Sequence, residues 1–199
     1  MRKSLEDVIV KKKRSHLQTG KDGLPKKVFT TVNEKIFVKT VDGGKRFAHL
    51  IIDYICFVAI TFCVGLAFSI VFKIIFGSSE AYEGYFQFAG IPLYFLFYAL
   101  FEYYFQQTPG KMVTGYVVID QYAEEPDLKT CLLRSALRYI PFEPFSCLGS
   151  PSRGWHDKWS HTFVVSKEEA WKLKNILDDI NLNPDAEFDS QDAPKENTN

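Results

Sequence analysis

The sequence predicts an α-helical membrane protein: a two-span transmembrane hairpin joined to an interfacial amphipathic helix and a small cytoplasmic antiparallel β element. Three observations carry this reading. Residues Tyr54 to Phe72 form an uncharged stretch of 19, about what a helix needs to cross roughly 30 Å of hydrocarbon. Gly84 to Phe101 is a second uncharged stretch, of 18 residues. Residues 1 to 46 carry 13 Lys and Arg against 5 Asp and Glu, a basic flank of the kind that marks the cytoplasmic side. Averages hide this pattern, because 24 basic and 24 acidic side chains cancel over 199 residues and mean hydropathy is only -0.11.

In chain order, residues 1 to 27 read as a flexible Lys-rich tail with glycine and proline breakers. Val28 to Val41 is rich in Val, Thr, Ile and Phe, which suggests short strands ending in a turn at Asp42-Gly43-Gly44. The first span follows from about Phe47 to Phe76, with Lys73 snorkelling to the far interface. It begins too late and runs too long for a cleavable leader. Gly77 to Gly84 is the outer loop, charged only at Glu80 and Glu83. The returning span is interrupted by Pro92, which removes a backbone donor and kinks a helix. Its inner end is marked by Glu102 and the interfacial aromatic group Tyr103 to Phe105.

The third apolar region, 128 to 149, contains Arg134, Arg138, Pro141 and Pro144. Leu128, Leu132, Leu133, Ala136, Leu137 and Ile140 share one broad helical face, with Lys129, Arg134 and Arg138 elsewhere, as in a helix lying in the inner interface. Gly115 to Asp120 and His161 to Val165 are short and β-branched, and Val117 to Ile119 is expected to pair antiparallel with Phe163 to Val165. Lys167 to Leu182 carries Ala170, Leu173, Leu177 and Ile180 at helical spacing, ahead of an acidic tail expected to be disordered. The segments expected are therefore 1–45 basic and cytoplasmic, 46–106 the hairpin, 107–166 the strands and interfacial helix, and 167–199 helix and tail.

Candidate functional residues follow from charges placed at membrane depth. Arg46, His49 and Asp53 are spaced i, i+3 and i+7, so they share one helix face entering the bilayer. Ionisable groups there cost about 2.5 to 3.5 kcal/mol even on lenient scales and are functional candidates. Glu102 is expected at the depth of Asp53, where two facing carboxylates would share a proton or a cation, unless it points to inner-leaflet water. Arg46, about 10 Å from Asp53 along an ideal helix, needs another carboxylate, and Asp157 is the expected partner. A charge swap of the two is expected to recover folded protein. Thr108-Pro109-Gly110-Lys111 favours a tight turn at the membrane surface, with Lys111 reaching lipid phosphate or the negative end of the second helix.

Other classes are disfavoured. The Lys111 turn lacks the upstream glycine and the hydroxyl residue of a nucleotide-binding loop. His156 and His161 are five apart, His49 is remote, and Cys56, Cys63, Cys131 and Cys147 show no ligand spacing, so no metal site, cofactor or disulfide is expected. The basic flank lacks an aromatic-interleaved module, so nucleic acid is not an expected partner. No nucleophile and base pair emerges, so no enzyme is expected.

Taken together, Arg46, Asp53, Thr108 to Lys111, Gly115, Arg134, Arg138, Gly154 to Lys158 and Thr162 to Val165 stand in an order that resembles the RDD family of integral membrane proteins. The resemblance spans roughly residues 42 to 166. It places Arg46 and Asp53 as the family's arginine and first aspartate and Asp157 as its second, and it implies a bacterial cytoplasmic-membrane protein with ion or small-solute transport for some members. The short, proline-broken third region departs from members with a longer segment. Two functions follow as expectations: an oligomeric carrier of protons, alkali cations or small solutes, or a non-transporting adaptor or assembly factor that recruits proteins or anionic lipid. A two-span monomer has too little wall to enclose a pathway, so the carrier needs a homo-oligomer or another membrane subunit. Both termini are expected in the cytoplasm.

Overall fold

The computed structural model describes residues 2–19, 25–77, 83–147, 149 and 152–182. Its elements in chain order are β1 (Ile9–Thr19), β2 (Pro25–Lys35), α1 (Gly43–Phe76), α2 (Glu83–Phe105), α3 (Pro109–Thr114), β3 (Tyr116–Ile119), α4 (Leu128–Leu137), α5 (Glu143–Ser146), α6 (Trp155–Trp159), β4 (Phe163–Ser166) and α7 (Lys167–Leu182). They divide into two units.

The larger unit, Thr40–Asp120 with Glu125–Lys167, is organised by α1. Asp42 caps this helix by accepting from the Gly44 N–H at 3.1 Å, so the Asp-Gly-Gly segment opens the helix and does not close a hairpin. At the other end Gly77, at φ 75, donates to the Lys73 carbonyl, a left-handed stop that glycine adopts without penalty. A helix of 34 residues is about 51 Å long, well beyond the hydrocarbon thickness. Its first turns therefore extend past the 19-residue uncharged stretch and carry the polar residues. The most apolar window of α1 is wholly unburied within the chain, with Phe62 68% and Ile74 78% exposed. Water would penalise a contiguous apolar surface of that size, whereas lipid would not.

Among the described residues α1 is the one helix both long and apolar enough to cross a membrane. The 23 residues of α2 reach about 34 Å. Phe57 of α1 meets Tyr94 and Phe97 of α2 edge-on, with centroids 5.3 and 5.6 Å apart. Of the loop expected at Gly77 to Gly84, residues 78–82 lie outside the described set. The third apolar region forms α4 and the four-residue α5, and the 10 residues of α4 rise only about 15 Å.

The helix α4 buries its polar face, the arrangement expected where an apolar face meets the interface. Cys131, Arg134 and Ser135 are buried, while Leu128 and Leu133 are 44% and 45% exposed. Arg134 points inward because it has carboxylates to meet there, and Leu128 and Leu133 are left on the outside. β3 and β4 pair antiparallel in the expected register, Val117 with Val165, Val118 with Val164 and Ile119 with Phe163. Val41 packs on Val118 and Val164, and its N–H donates to the Val164 carbonyl at 3.0 Å.

The smaller unit contains residues 1–39, 121–124 and 168–199. β1 and β2 pair antiparallel from Ile9–Lys35 to Thr19–Pro25, which corrects the expectation of a flexible tail to residue 27. Lysines 11 to 13 and the following breakers mask a two-stranded ribbon; residues 20–24, between the strands, lie outside the described residues. Leu173, Ile176, Leu177 and Ile180 of α7 are buried, as helical spacing predicts, together with Leu5, Val8 and Ile36. The acidic tail from residue 183 lies outside the described residues.

Candidate functional site

Five helices of the larger unit, α1, α2, α3, α4 and α6, meet around Asp157 and Glu102. Asp157, in the short helix α6, is fully buried and meets Arg46 Nη1 at 2.6 Å, Arg134 Nη1 at 2.8 Å and His156 Nε2 at 3.2 Å. The expected Arg46–Asp157 pair is therefore present. Burial alone would raise the Asp157 carboxyl, but Arg46, His156 and Arg134 outweigh it and hold the group well below the usual carboxylate range. Arg134 Nε contacts Glu102 Oε2 at 2.8 Å, so one guanidinium bridges the second helix to α6. Its Nη1 also donates to the Thr162 hydroxyl.

Glu102 neither faces Asp53 as a proton-sharing partner nor points to water. It is fully buried beneath Lys111 Nζ at 2.6 Å, Arg138 Nη2 at 2.8 Å and Arg134. Lys111 therefore does not reach lipid: burial lowers its pKa, with Glu102 opposing. The charge swap expected from sequence also fails physically, since an arginine at 157 would face Arg134 across the same 2.8 Å gap.

Asp53 is different. It is 3% exposed, its Oδ1 accepts from the Gly110 N–H at 2.7 Å, and it has no ionic partner among the described residues. The contact is possible because Pro109 starts α3 and Gly110 lies directly on α1. A Cβ on Gly110 would stand 2.5 Å from the His49 carbonyl oxygen. Gly110→Ala is thus expected to cost at least about 1–3 kcal/mol by overpacking, read as a lowered thermal midpoint in detergent; an unchanged midpoint would contradict this packing. His49 shares a 2.6 Å hydrogen bond with the Thr114 hydroxyl. Gly115, at φ 77, ends α3 and leads into β3.

A cavity of about 50 Å³ opens among these groups, lined by Arg46, His49, Asp53, Lys111, Arg138 and Glu143 among others. Arg46 Nε and Nη2 lack hydrogen-bond partners among the described residues. The spacing of His156 from His161 proved uninformative, because His156 instead meets Glu143 and lies beside Cys147, with donor atoms of all three within 4.8 Å of one another. Glu143 and Cys147, absent from the sequence-based candidates, are i and i+4, and that spacing was the available signal.

An arginine at the head of the membrane helix, an aspartate two turns on, and a second aspartate returning to that arginine from a distant turn form one ordered constellation. The RDD family profile matches residues 40–165, well over half of the 199. The chain belongs to the RDD family. Its family-matching span contains every residue of the ionic network, and the β1–β2 ribbon and α7 lie outside it. No curated protein and no solved structure gives a significant match. Membership and the exposed apolar α1 together mark an RDD-family membrane protein.

Proposed function

We propose that this RDD-family protein is an oligomeric membrane carrier of protons or alkali cations, or of a small solute coupled to them, with Asp53 as the carboxylate that takes up the cation. The observation that carries this reading is that Asp53 makes no direct ion pair among the described residues, although Arg46, Lys111 and Arg138 line the same cavity. Glu102 and Asp157 are neutralised by Arg46, Lys111, Arg134 and Arg138, whereas Asp53 is buried beside a cavity with room for about three waters. A buried carboxylate without a cation is costly, and a transported cation relieves that cost. His49 lines the same cavity.

In this reading α2 returns across the bilayer, both termini are cytoplasmic, and neighbouring copies or another subunit cover the exposed face of α1. No catalysis, cofactor or nucleic acid is invoked. An impermeant thiol reagent tests the topology in a background without Cys56, Cys63, Cys131 and Cys147. A cysteine at Ser78 should label from outside intact cells and one at the exposed Lys158 should not; outside labelling of Lys158 would contradict the two-span arrangement. Calorimetric titration with Na⁺, K⁺ and Li⁺ in detergent tests the site. At least one is expected to bind wild type, more weakly as pH falls, and not to bind Asp53→Asn. Equal binding by the variant would sink the assignment.

The adaptor reading has one observation in its favour: both Glu102 and Asp157 are met by cations within the network, as in a clamp joining α1, α2, α3, α4 and α6. Under it Asp53→Asn would leave every ion measurement unchanged.

A further inference from the structure

We propose that Glu143, Cys147 and His156 form a mononuclear Zn²⁺ site, a donor set that does not include Asp53 although it lines the same cavity, and that does not rest on the carrier reading. All three residues are buried, and their donor atoms lie within 4.8 Å of one another. Glu143 and Cys147 occupy successive turns at α5, with Cys147 Sγ 3.8 Å from Glu143 Oε1. His156, from α6, turns its Nδ1 onto the same Glu143 oxygen. Donors around a tetrahedral zinc with bonds of about 2.0–2.3 Å stand about 3.3–3.7 Å apart. The Cys–Glu spacing needs to close by a few tenths of an ångström, and the His–Glu contact needs to open by less than about 1 Å.

Two further features fit a ligand set better than a plain hydrogen bond with a filler thiol. His156 presents its other nitrogen, Nε2, to Asp157 Oδ1 at 3.2 Å. Metal-bound histidines almost always engage a carboxylate or carbonyl through the second nitrogen, which fixes the ring and selects the ligating atom. Here that carboxylate is itself immobilised by Arg46 and Arg134. The second feature is Gly154, where a Cβ would stand 2.8 Å from Glu143 Oε1 and against Cys147 Sγ, so the backbone at 154 leaves its side-chain space to the donors. All three residues also line the small cavity, which leaves a fourth position for water. A thiolate, an imidazole and one carboxylate favour zinc over magnesium or calcium, which take oxygen ligands.

The test uses the full chain, purified in detergent, reduced and stripped with a chelator, then titrated with Co²⁺ as an optical surrogate for Zn²⁺. One Co²⁺ per chain is expected, with a thiolate-to-cobalt charge-transfer band and visible bands of a four-coordinate ion, both abolished by one equivalent of Zn²⁺. Cys147→Ser should lose the charge-transfer band, whereas Cys131→Ser should keep it. X-ray absorption of the wild-type Zn²⁺ form provides a readout that needs no variant: one sulfur ligand among lighter donors is expected. No stoichiometric Co²⁺ band in wild type, a band retained in Cys147→Ser, or a zinc shell without sulfur would each overturn the proposal. None of these outcomes bears on cation binding at Asp53.

Discussion

Arg134→Met is expected to leave almost no monodisperse protein, the largest stability effect of any single substitution in this fold. The guanidinium is wholly buried and spans two carboxylates, 2.8 Å from Glu102 through Nε and 2.8 Å from Asp157 through Nη1. Removing one partner of a buried pair costs about 3–5 kcal/mol, because the abandoned charge keeps its desolvation penalty. Arg134 leaves two such charges only partly covered by Lys111, Arg138 and Arg46. Total stability is only about 5–15 kcal/mol for ordinary domains, so the loss consumes much of the margin. Arg134→Lys should not rescue, since a single ammonium lacks the planar fork that reaches both carboxylates. Adding Glu102→Gln and Asp157→Asn to Arg134→Met should recover part of the folded yield by removing the uncompensated charges. A wild-type thermal midpoint for Arg134→Met would refute the bridge.

The same clamp predicts acid lability. Asp157 is held below its unfolded value, so the stability it contributes is present above the ordinary aspartate pKa of about 3.9 and is lost as pH falls through its folded value. This is the direction opposite to that of a group whose pKa is raised on folding.

Periodicity made several parts of this architecture legible from residues alone. Strands β3 and β4 follow from two short β-branched runs, and α7 from Leu173, Leu177 and Ile180 ahead of a proline. The Arg46–Asp157 contact follows from the need of a permanently charged guanidinium for a carboxylate at the membrane edge. The surroundings of Glu102 were not legible. Its partners come from α3 and α4: the interfacial reading set Arg134 and Arg138 off the apolar face of α4, but nothing in the spacing named the carboxylate that they meet. The β1–β2 ribbon was obscured because its lysine-rich strand lacks apolar alternation. The Glu143, Cys147 and His156 cluster was missed because histidine was compared only with histidine.

Asp53→Asn is expected to have the largest effect on function with little effect on the fold. The amide oxygen introduced by this substitution still accepts from the Gly110 N–H, and no ion pair among the described residues is broken, since none involves Asp53. The variant should therefore keep its oligomeric state and its thermal midpoint while losing the carboxylate to which the carrier reading assigns the cation. The decisive measurement is ion flux in proteoliposomes at matched protein density, with an imposed proton or sodium gradient. Wild type should dissipate the gradient well above empty liposomes, and Asp53→Asn should fall at least about ten-fold, equivalent to about 1.4 kcal/mol or more in the barrier. Wild-type protein without flux under every gradient, or Asp53→Asn with wild-type flux, would contradict the assignment of Asp53 as the cation-carrying group.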